Sequence, residues 1–600
     1  MATPANLALD GGDPRLSDGT TGGPSKVELA MLHAMHDRST TFEEYIYWAK
    51  ITRAEEKAAD EHYRSMKGPR TVKSTILDRF SSGKTGQKVI ASNTPAAPLT
   101  GSEVSNGDEK TALENQGAGH HSSVTDAEWT RASRAVRTAG WGGVFYLITT
   151  DILGPFSTPW AFAQMGYGPG VALYTVFGVF AAYSGFQLWN IFLHLDSDRY
   201  PMRSFGDAFF RVYGLWARHA INLLQSIQLL FTVSILILSN GQSIAQVSKG
   251  NLCFVVCLIV FMAAGMIVGQ IRTLQRFGWL ANLAVWINLL IIFIVMGVSA
   301  NSAPNFAATQ ASFGDSFGPG PIHRYAGTPP NGMASGGDGF VGSLNGLNQA
   351  VYSYGGAMLF IAFLAEMRHP WDFWKGLICA EIFIYTVYMF FGIFVYSYQG
   401  QFSYNPVMQG LSPYSWQTAT NIMNLVTGLI AAALYGNIGI KVLYIDVFQE
   451  MLNAPDLTKK AGKLLWIGLV PLYWAVAFIV CAAIPQFSYI SGLVGAVCIL
   501  QFTYTFPAIL AVGYQIQKDA IHPSEQFDPA TRSTNYVDRG VKRWVRGFKV
   551  RWLVNTLNFL YFLGALTTAA LGIYSSCLGL IGAFGGKSVA TSFGCTNPAG

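Results

Sequence analysis

Eleven long apolar stretches, separated by shorter polar ones, fill the chain from residue 138 onward, at about 138–165, 168–193, 219–247, 251–270, 278–299, 341–366, 375–398, 417–447, 463–484, 487–515 and 552–576. Each approaches the roughly 20 residues that an apolar helix needs to cross a bilayer. The pattern therefore predicts an all-α integral membrane protein with eleven transmembrane helices. The stretch before them is different: residues 1–130 are polar and rich in Gly, Ser, Thr and charge. Within it Thr41-Phe-Glu-Glu44 has the form of a capping box, in which a threonine oxygen and a glutamate satisfy each other's amides at a helix start. A short cytoplasmic helix is expected over EYIYWAKITRAEEKAADEHYRS. Residues 80–123 hold too few apolar side chains to offset ordering entropy, and disorder is expected there; His120 and His121 carry no expected role. The expected division is a largely disordered cytoplasmic tail (1–130), a transmembrane domain (135–576) and a second tail (577–600). The opening MATPANLALDGGDPRLSDGT has no apolar core and does not read as a signal peptide.

Two apolar stretches are interrupted at their centres. The first reads Asp151-Ile-Leu-Gly154-Pro155-Phe-Ser157-Thr158-Pro159. Proline removes a backbone donor and glycine removes restraint, so one continuous helix is not expected there. Unpaired backbone at membrane depth is tolerated only inside protein or against a water-filled cavity. An intramembrane carboxylate beside it, Asp151, is costly and points to function. The sixth stretch carries Ser353-Tyr354-Gly355-Gly356 at its centre. Stretches one and six are five apart, so a repeat of five helices would enter the membrane inverted. Interrupted helices at matching positions of inverted halves mark a secondary transporter's substrate site. The competing reading is two glycine-packed helix crossings.

Charge settles the expected orientation. With the first end inside, the even connections hold 19 Lys and Arg, whereas the opposite side has Lys249, Arg324 and Lys587; a further 17 of the chain's 40 lie in residues 1–137. Positive loops stay in the cytoplasm, which places the N-terminus inside and the C-terminus outside. Only 12% of residues are charged, against 51% hydrophobic, and no basic stripe alternates with exposed aromatics. No nucleic-acid partner is expected; the lipid bilayer is. The loop 300–340 is long, rich in Gly and Pro and without an N-x-Ser/Thr sequon.

At this point the residues resemble a known family. Gly154-x-x-Ser157-x-Pro159-Trp-Ala-Phe-Ala-Gln-Met-Gly166 is similar to the first-helix opening of amino acid/auxin permeases, and Tyr352 to Met367, ending Glu366-Met-Arg-His-Pro370, resembles their sixth helix. The polar N-terminus with FEEYIYWAKITRAEE resembles the fungal neutral amino acid permeases. The resemblance covers about 135–576 and implies a LeuT-like five-plus-five inverted repeat and proton-coupled uptake of amino acids, most naturally at the plasma membrane, with a vacuolar or other internal membrane as the alternative. The sequence departs from the family in Asp151 and Pro155, and in Ile152 where a glycine is common.

Substrate-binding candidates are Asp151, Gly154, Ser157, Thr158, Ser353, Tyr354, Gly355 and Gly356. A substrate carboxylate suits the half-helix start near Ser157-Thr158-Pro159. An ammonium suits carbonyls left unpaired at Asp151 to Gly154 and near Ser353 and Tyr354. Asp151 has three open roles: proton acceptor, ammonium partner or helix cap. The coupling or gating candidates are Asp151, Glu366, Glu381 and Lys441. Lys441 either reaches outward to the cytoplasmic interface or takes the place of a coupling sodium ion, and Glu381 is expected to pair with Lys441 or a loop arginine. Gln225, Gln228 and Asn437 either face the cavity or join helices. No CxxC spacing or His cluster suggests a metal, and no cofactor is expected. Cys253 and Cys257 are read as packing, and Cys577 with Cys595 as a potential disulfide. HExxH, GxSxG and GxxxxGK[ST] are absent, which leaves no enzyme or ATP-driven pump in view. A sensor on a transporter scaffold, or a sodium-coupled carrier of another small organic solute, remains the alternative.

Overall fold

The computed structural model describes residues 37–67, 137, 139–271, 277–449, 452, 454–455, 460–585 and 592–596; the stretch 80–123, expected to be disordered, lies outside the described residues. Its helices are, in order, α1 (Phe42–Lys67), α2 (Trp141–Ile152), α3 (Thr158–Met165), α4 (Tyr167–Leu195), α5 (Phe205–Tyr213), α6 (Leu215–Val247), α7 (Phe254–Val268), α8 (Phe277–Asn301) and α9 (Phe306–Phe313). There follow α10 (Gly339–Ser353), α11 (Phe360–Glu366), α12 (Phe373–Gln399), α13 (Tyr414–Val442), α14 (Lys460–Ala483), α15 (Phe487–Val494), α16 (Phe506–Asp519), α17 (Val541–Val550) and α18 (Trp552–Gly585). One antiparallel pair, β1 (Phe527–Asp528) and β2 (Ser533–Thr534), is set between α16 and α17. Among the described residues nine helical stretches are long and apolar enough to cross a membrane. The other two apolar stretches of the sequence are the interrupted pair α2–α3 and the 15-residue α7.

The interruptions fall where glycine and proline place them. α2 stops at Ile152, a single tight turn follows over Pro155–Ser157, and α3 starts at Thr158. Gly154 sits at φ −156°, ψ 73°, off the helical path, and neither Pro155 nor Pro159 has an amide hydrogen to continue the ladder. α10 likewise ends at Ser353, and after Gly355 and Gly356 a tight turn over Ala357–Leu359 leads into α11. The stretch between α15 and α16 is also irregular, with wide π-helical turns over Gly495–Ile499 and Gln501–Thr505. Such turns re-aim side chains and recur at functional sites.

Two large buried clusters organise most of the helices, and a smaller one joins α8 to α12. Of the large two, one gathers α2, α3, α4, α10, α11 and α12; the other gathers α6, α7, α13, α14 and α15. Outward-facing side chains such as Val179, Phe293, Ile382 and Leu472 remain exposed. Facing lipid, such residues need no further partner.

At the arginine-rich end, α1 is docked rather than free. Phe42, Tyr45, Ile46 and Ala49 recur at one-turn spacing and are all buried. The Thr41 hydroxyl accepts from the Glu44 amide at 3.3 Å, but the Glu44 carboxylate turns instead to the Tyr200 hydroxyl at 2.7 Å and to Arg532. Glu43 pairs with Arg543 and accepts from Tyr536 at 2.8 Å. Farther along, Arg137 bridges Glu56 at 2.8 Å and Asp196 at 2.6 Å. The helix read from the tail is thus part of the folded body, held by groups 81 residues away or more.

The same end holds Glu525, fully buried, which accepts from Arg546, Arg543 and the amides of His522 and Val537. Burial alone would raise its pKa. The Arg546 bonds, the two amides and Arg543 outweigh that and bring it down to about 2. Because the folded value lies below the ordinary one, its contribution is complete above about pH 4.3 and lost as pH falls toward 2. Pepsin cleavage within 520–551 should therefore accelerate across that window. Glu525→Gln should already be weakened at neutral pH, by about 3 kcal/mol, the scale of breaking a buried ion pair. Unchanged cleavage in the variant would show that the network holds nothing.

At the opposite end Cys253, just before α7, is disulfide-bonded to Cys595, and the Phe254 amide donates to the Cys595 carbonyl at 3.1 Å. Two expectations are corrected: Cys595 does not pair with Cys577, and Cys253 is not a packing residue. Cys577 lies exposed on the side of α18. The chain beyond that helix returns across the ends of α7 and α14, where the Phe593 amide donates to Ala482. Cys257 is buried packing, as expected.

Candidate functional site

The two interruptions meet. A cavity of about 280 Å³ is lined by Asp151 to Gly154 and Ser157 on one side and by Tyr352, Ser353, Gly355 and Gly356 on the other. Gln228 and Thr232 of α6, Asn288 of α8, Asn424, Thr427 and Tyr435 of α13, Tyr388 of α12, and Ile499 and Thr503 of the wide turns are also in the wall.

One hydroxyl ties the breaks together. Tyr388 Oη lies 2.5 Å from the Ile152 carbonyl and 2.9 Å from the Ser353 carbonyl, and accepts from the Gly154 amide at 3.3 Å. A phenol has one proton to donate, so the two carbonyls share it. These carbonyls, freed by the helix breaks, are therefore answered by Tyr388, which corrects the expectation that they stand unpaired. Tyr388→Phe keeps the ring and removes the tie. Each buried backbone group left unmatched costs about 1–3 kcal/mol, so a loss of about 2–4 kcal/mol is expected, read as a lowered midpoint of thermal unfolding in detergent. An unchanged midpoint would mean that the contacts carry no weight.

Asp151 closes the other side of the junction. Its Oδ1 accepts from the Tyr435 hydroxyl at 2.9 Å. A Cβ on Gly356 would stand 3.0 Å from Asp151 Oδ2 and 2.6 Å from an Ile152 side-chain carbon. Gly356 therefore lets the two breaks close on each other. Gly355 has the same packing function toward Ile499, whose Cγ2 is 2.4 Å from the place of a Cβ. Gly154 is different: nothing lies within 4 Å of where its Cβ would be.

A wide stretch of the chain, residues 137–522, matches the family model described as "Transmembrane amino acid transporter protein". The chain belongs to that family. Among curated relatives, a "Transmembrane transporter" of Gibberella moniliformis is 22% identical over 382 residues, spanning 62% of this chain and 75% of the relative. The "N amino acid transport system protein" of Neurospora crassa is 24% identical over 385 residues, spanning 61% and 74%. The matched region contains both interrupted helices and the cavity; α1, α17 and α18 lie outside it. Family membership and the apolar helices make the chain an integral membrane protein.

Within this amino acid transporter fold, six of the eight substrate candidates line the cavity: Asp151, Gly154, Ser157, Ser353, Gly355 and Gly356. Thr158 and Tyr354 do not. Each follows a lining residue by one position, and a helical step of about 100° turns it away. The Thr158 methyl is packed where Gly392 has no side chain. The Tyr354 ring lies against Tyr174 and Tyr388, with centroids 6.0 and 5.6 Å away. Of the coupling candidates only Asp151 lines the cavity. Glu366 is buried at the arginine-rich end, where its carbonyl accepts from the Ala139 amide at 2.9 Å. Glu381 is buried on α12 with neither oxygen hydrogen-bonded, near Tyr354, Tyr388 and Tyr504. The expected pairing with Lys441 or a loop arginine is not formed. Lys441 is itself fully buried at the end of α13 and does not reach outward. Gln228 lines the cavity, whereas Asn437 ties α13 to the segment just after α7 by donating to the Ile271 carbonyl at 2.8 Å.

Tyr388, Tyr435, Asn424 and Thr503 were not singled out from the sequence. Each is an ordinary polar residue in an apolar stretch, and only the packing of distant helices shows which way it faces.

Proposed function

We propose that the chain is a secondary active transporter that imports neutral amino acids together with protons by alternating access. The observation that carries this reading is that both interrupted helices wall one cavity, the arrangement that gives a transported solute backbone and side-chain partners at mid-membrane. The name of the Neurospora relative supports an amino acid as the solute. We read the apolar stretches as eleven crossings in a LeuT-like five-plus-five inverted repeat, with residues 135–576 as the transport domain; of the flanking segments 1–130 and 577–600, α1, the end of α18 and the disulfide-held Cys595 belong to the folded body. The N-terminus is cytoplasmic and the C-terminus is outside, most naturally across the plasma membrane. The lysine and arginine asymmetry supports this, as does a disulfide at the end poor in positive charge.

In the site, Ser157 and the start of α3 meet the substrate carboxylate, and Asp151 meets its ammonium or holds the proton. Glu366, Glu381 and Lys441 are left for gating or for helix-to-helix structure.

The test is accumulation of radiolabelled neutral amino acids in proteoliposomes, with pH and sodium gradients imposed separately. An inward proton gradient should drive accumulation above equilibrium and a sodium gradient should not. Binding with no accumulation under either gradient would turn the reading toward a sensor on this scaffold, and accumulation driven by sodium alone would replace the proton.

A further inference from the structure

Among the described residues Asp151 is the only formally charged one lining the cavity; no described Lys, Arg, His or second acid contributes to the wall. The other polar residues described in the wall are neutral. Tyr435 donates to it from α13, Tyr352 and Tyr388 face the cavity from α10 and α12, Gln228 and Thr232 from α6, and Thr503 from the wide turns. The three tyrosines are neutral phenols that donate or accept hydrogen bonds without adding charge. Glu366, Glu381 and Lys441 are buried elsewhere and do not line the wall. Beyond Asp151, the Gln228 side-chain oxygen is buried without a hydrogen-bond partner, a second acceptor in a wall with no cation.

A zwitterionic amino acid adds no net charge, so it would leave the cavity at minus one, an uncompensated charge in a low-dielectric site. A cation leaves it neutral. We infer that the cavity accepts one net positive charge per cycle: either a zwitterion together with a proton on Asp151, or a primary ammonium compound lacking the carboxylate with no proton. Decarboxylated amino acids are thus a second substrate class of the same site, and for them Asp151 serves as the counter-ion in place of the missing carboxylate. This rests on the reading of the cavity as the transport site.

The two classes should respond to pH with opposite sign. Acid protonates Asp151, which favours the zwitterion and removes the counter-ion of the amine. The experiment measures ligand-induced thermal stabilisation of the purified full-length protein from pH 5 to 8. The probes are leucine, phenylalanine and glutamine, the amines isopentylamine and phenethylamine, and N-acetylleucine as an anion. Leucine or its zwitterionic companions should bind more tightly as pH falls and the amines less tightly, each by up to about tenfold per pH unit; N-acetylleucine should not bind. Asp151→Asn should flatten both slopes and abolish amine binding, and Asp151→Glu should restore both. Zwitterion binding that ignores pH, or amines binding no better than N-acetylleucine, would overturn the charge rule while leaving the site itself intact. If no probe binds, or binding survives Gly154→Leu, it is the site that is wrong, and the rule goes with it.

Discussion

Gly154→Leu is expected to abolish uptake while the protein still folds and reaches the membrane. Nothing lies within 4 Å of the place its Cβ would occupy, so the new side chain meets open cavity rather than protein. It would fill the space beside Asp151 and Ser157 that a substrate needs. Losing a few kcal/mol of binding suffices to take uptake below about 1% of the parent, at tenfold for each ~1.4 kcal/mol. The neighbouring break gives the contrast. Leucine at Gly355 meets Ile499 at 2.4 Å, and leucine at Gly356 meets Ile152 at 2.6 Å. Those variants should lose about 1–3 kcal/mol to overpacking and show it as reduced yield and a lower unfolding midpoint. Size-exclusion profiles measured beside uptake separate the cases. Normal uptake by Gly154→Leu would remove the cavity from the transport route.

The helical layout was legible because a bilayer imposes length and apolarity, and both interruptions were legible because glycine and proline announce them locally. Their partners were not. In a membrane helix the lipid-facing side and the core-facing side are both apolar, so periodicity does not say which way Tyr388 or Tyr435 points. Adjacency in sequence misled at Thr158 and Tyr354, where one helical step separates the cavity from the protein interior. The docking of α1 depended on Glu43 finding Arg543 and Arg137 finding Glu56 and Asp196, contacts that no local pattern encodes. The Cys253–Cys595 bridge, 342 residues apart in sequence, is the extreme case: Cys577 looked the nearer partner for Cys595, but it sits on the outer side of α18. Buried Lys441 shows the limit of reading a charge near a helix end as one that reaches for water.

Asp151→Asn should uncouple transport from the pH gradient. Asparagine keeps the size of the carboxylate and can still accept from Tyr435, whose hydroxyl holds Asp151 Oδ1 at 2.9 Å, so the junction of the breaks persists. What it cannot do is take up a proton on one side and release it on the other. By the charge rule a neutral residue here also receives a zwitterion without needing a proton. Loss of coupling therefore separates from loss of binding. If Asp151 instead only held the ammonium, both modes of transport would weaken together; if it only capped α2, both would persist with reduced stability. Accumulation driven by an imposed pH gradient and exchange of labelled for unlabelled amino acid, measured in the same proteoliposomes, distinguish these outcomes. The account predicts that pH-driven accumulation by the Asn variant falls to the equilibrium level while exchange continues; accumulation retained at the parent's level would contradict it.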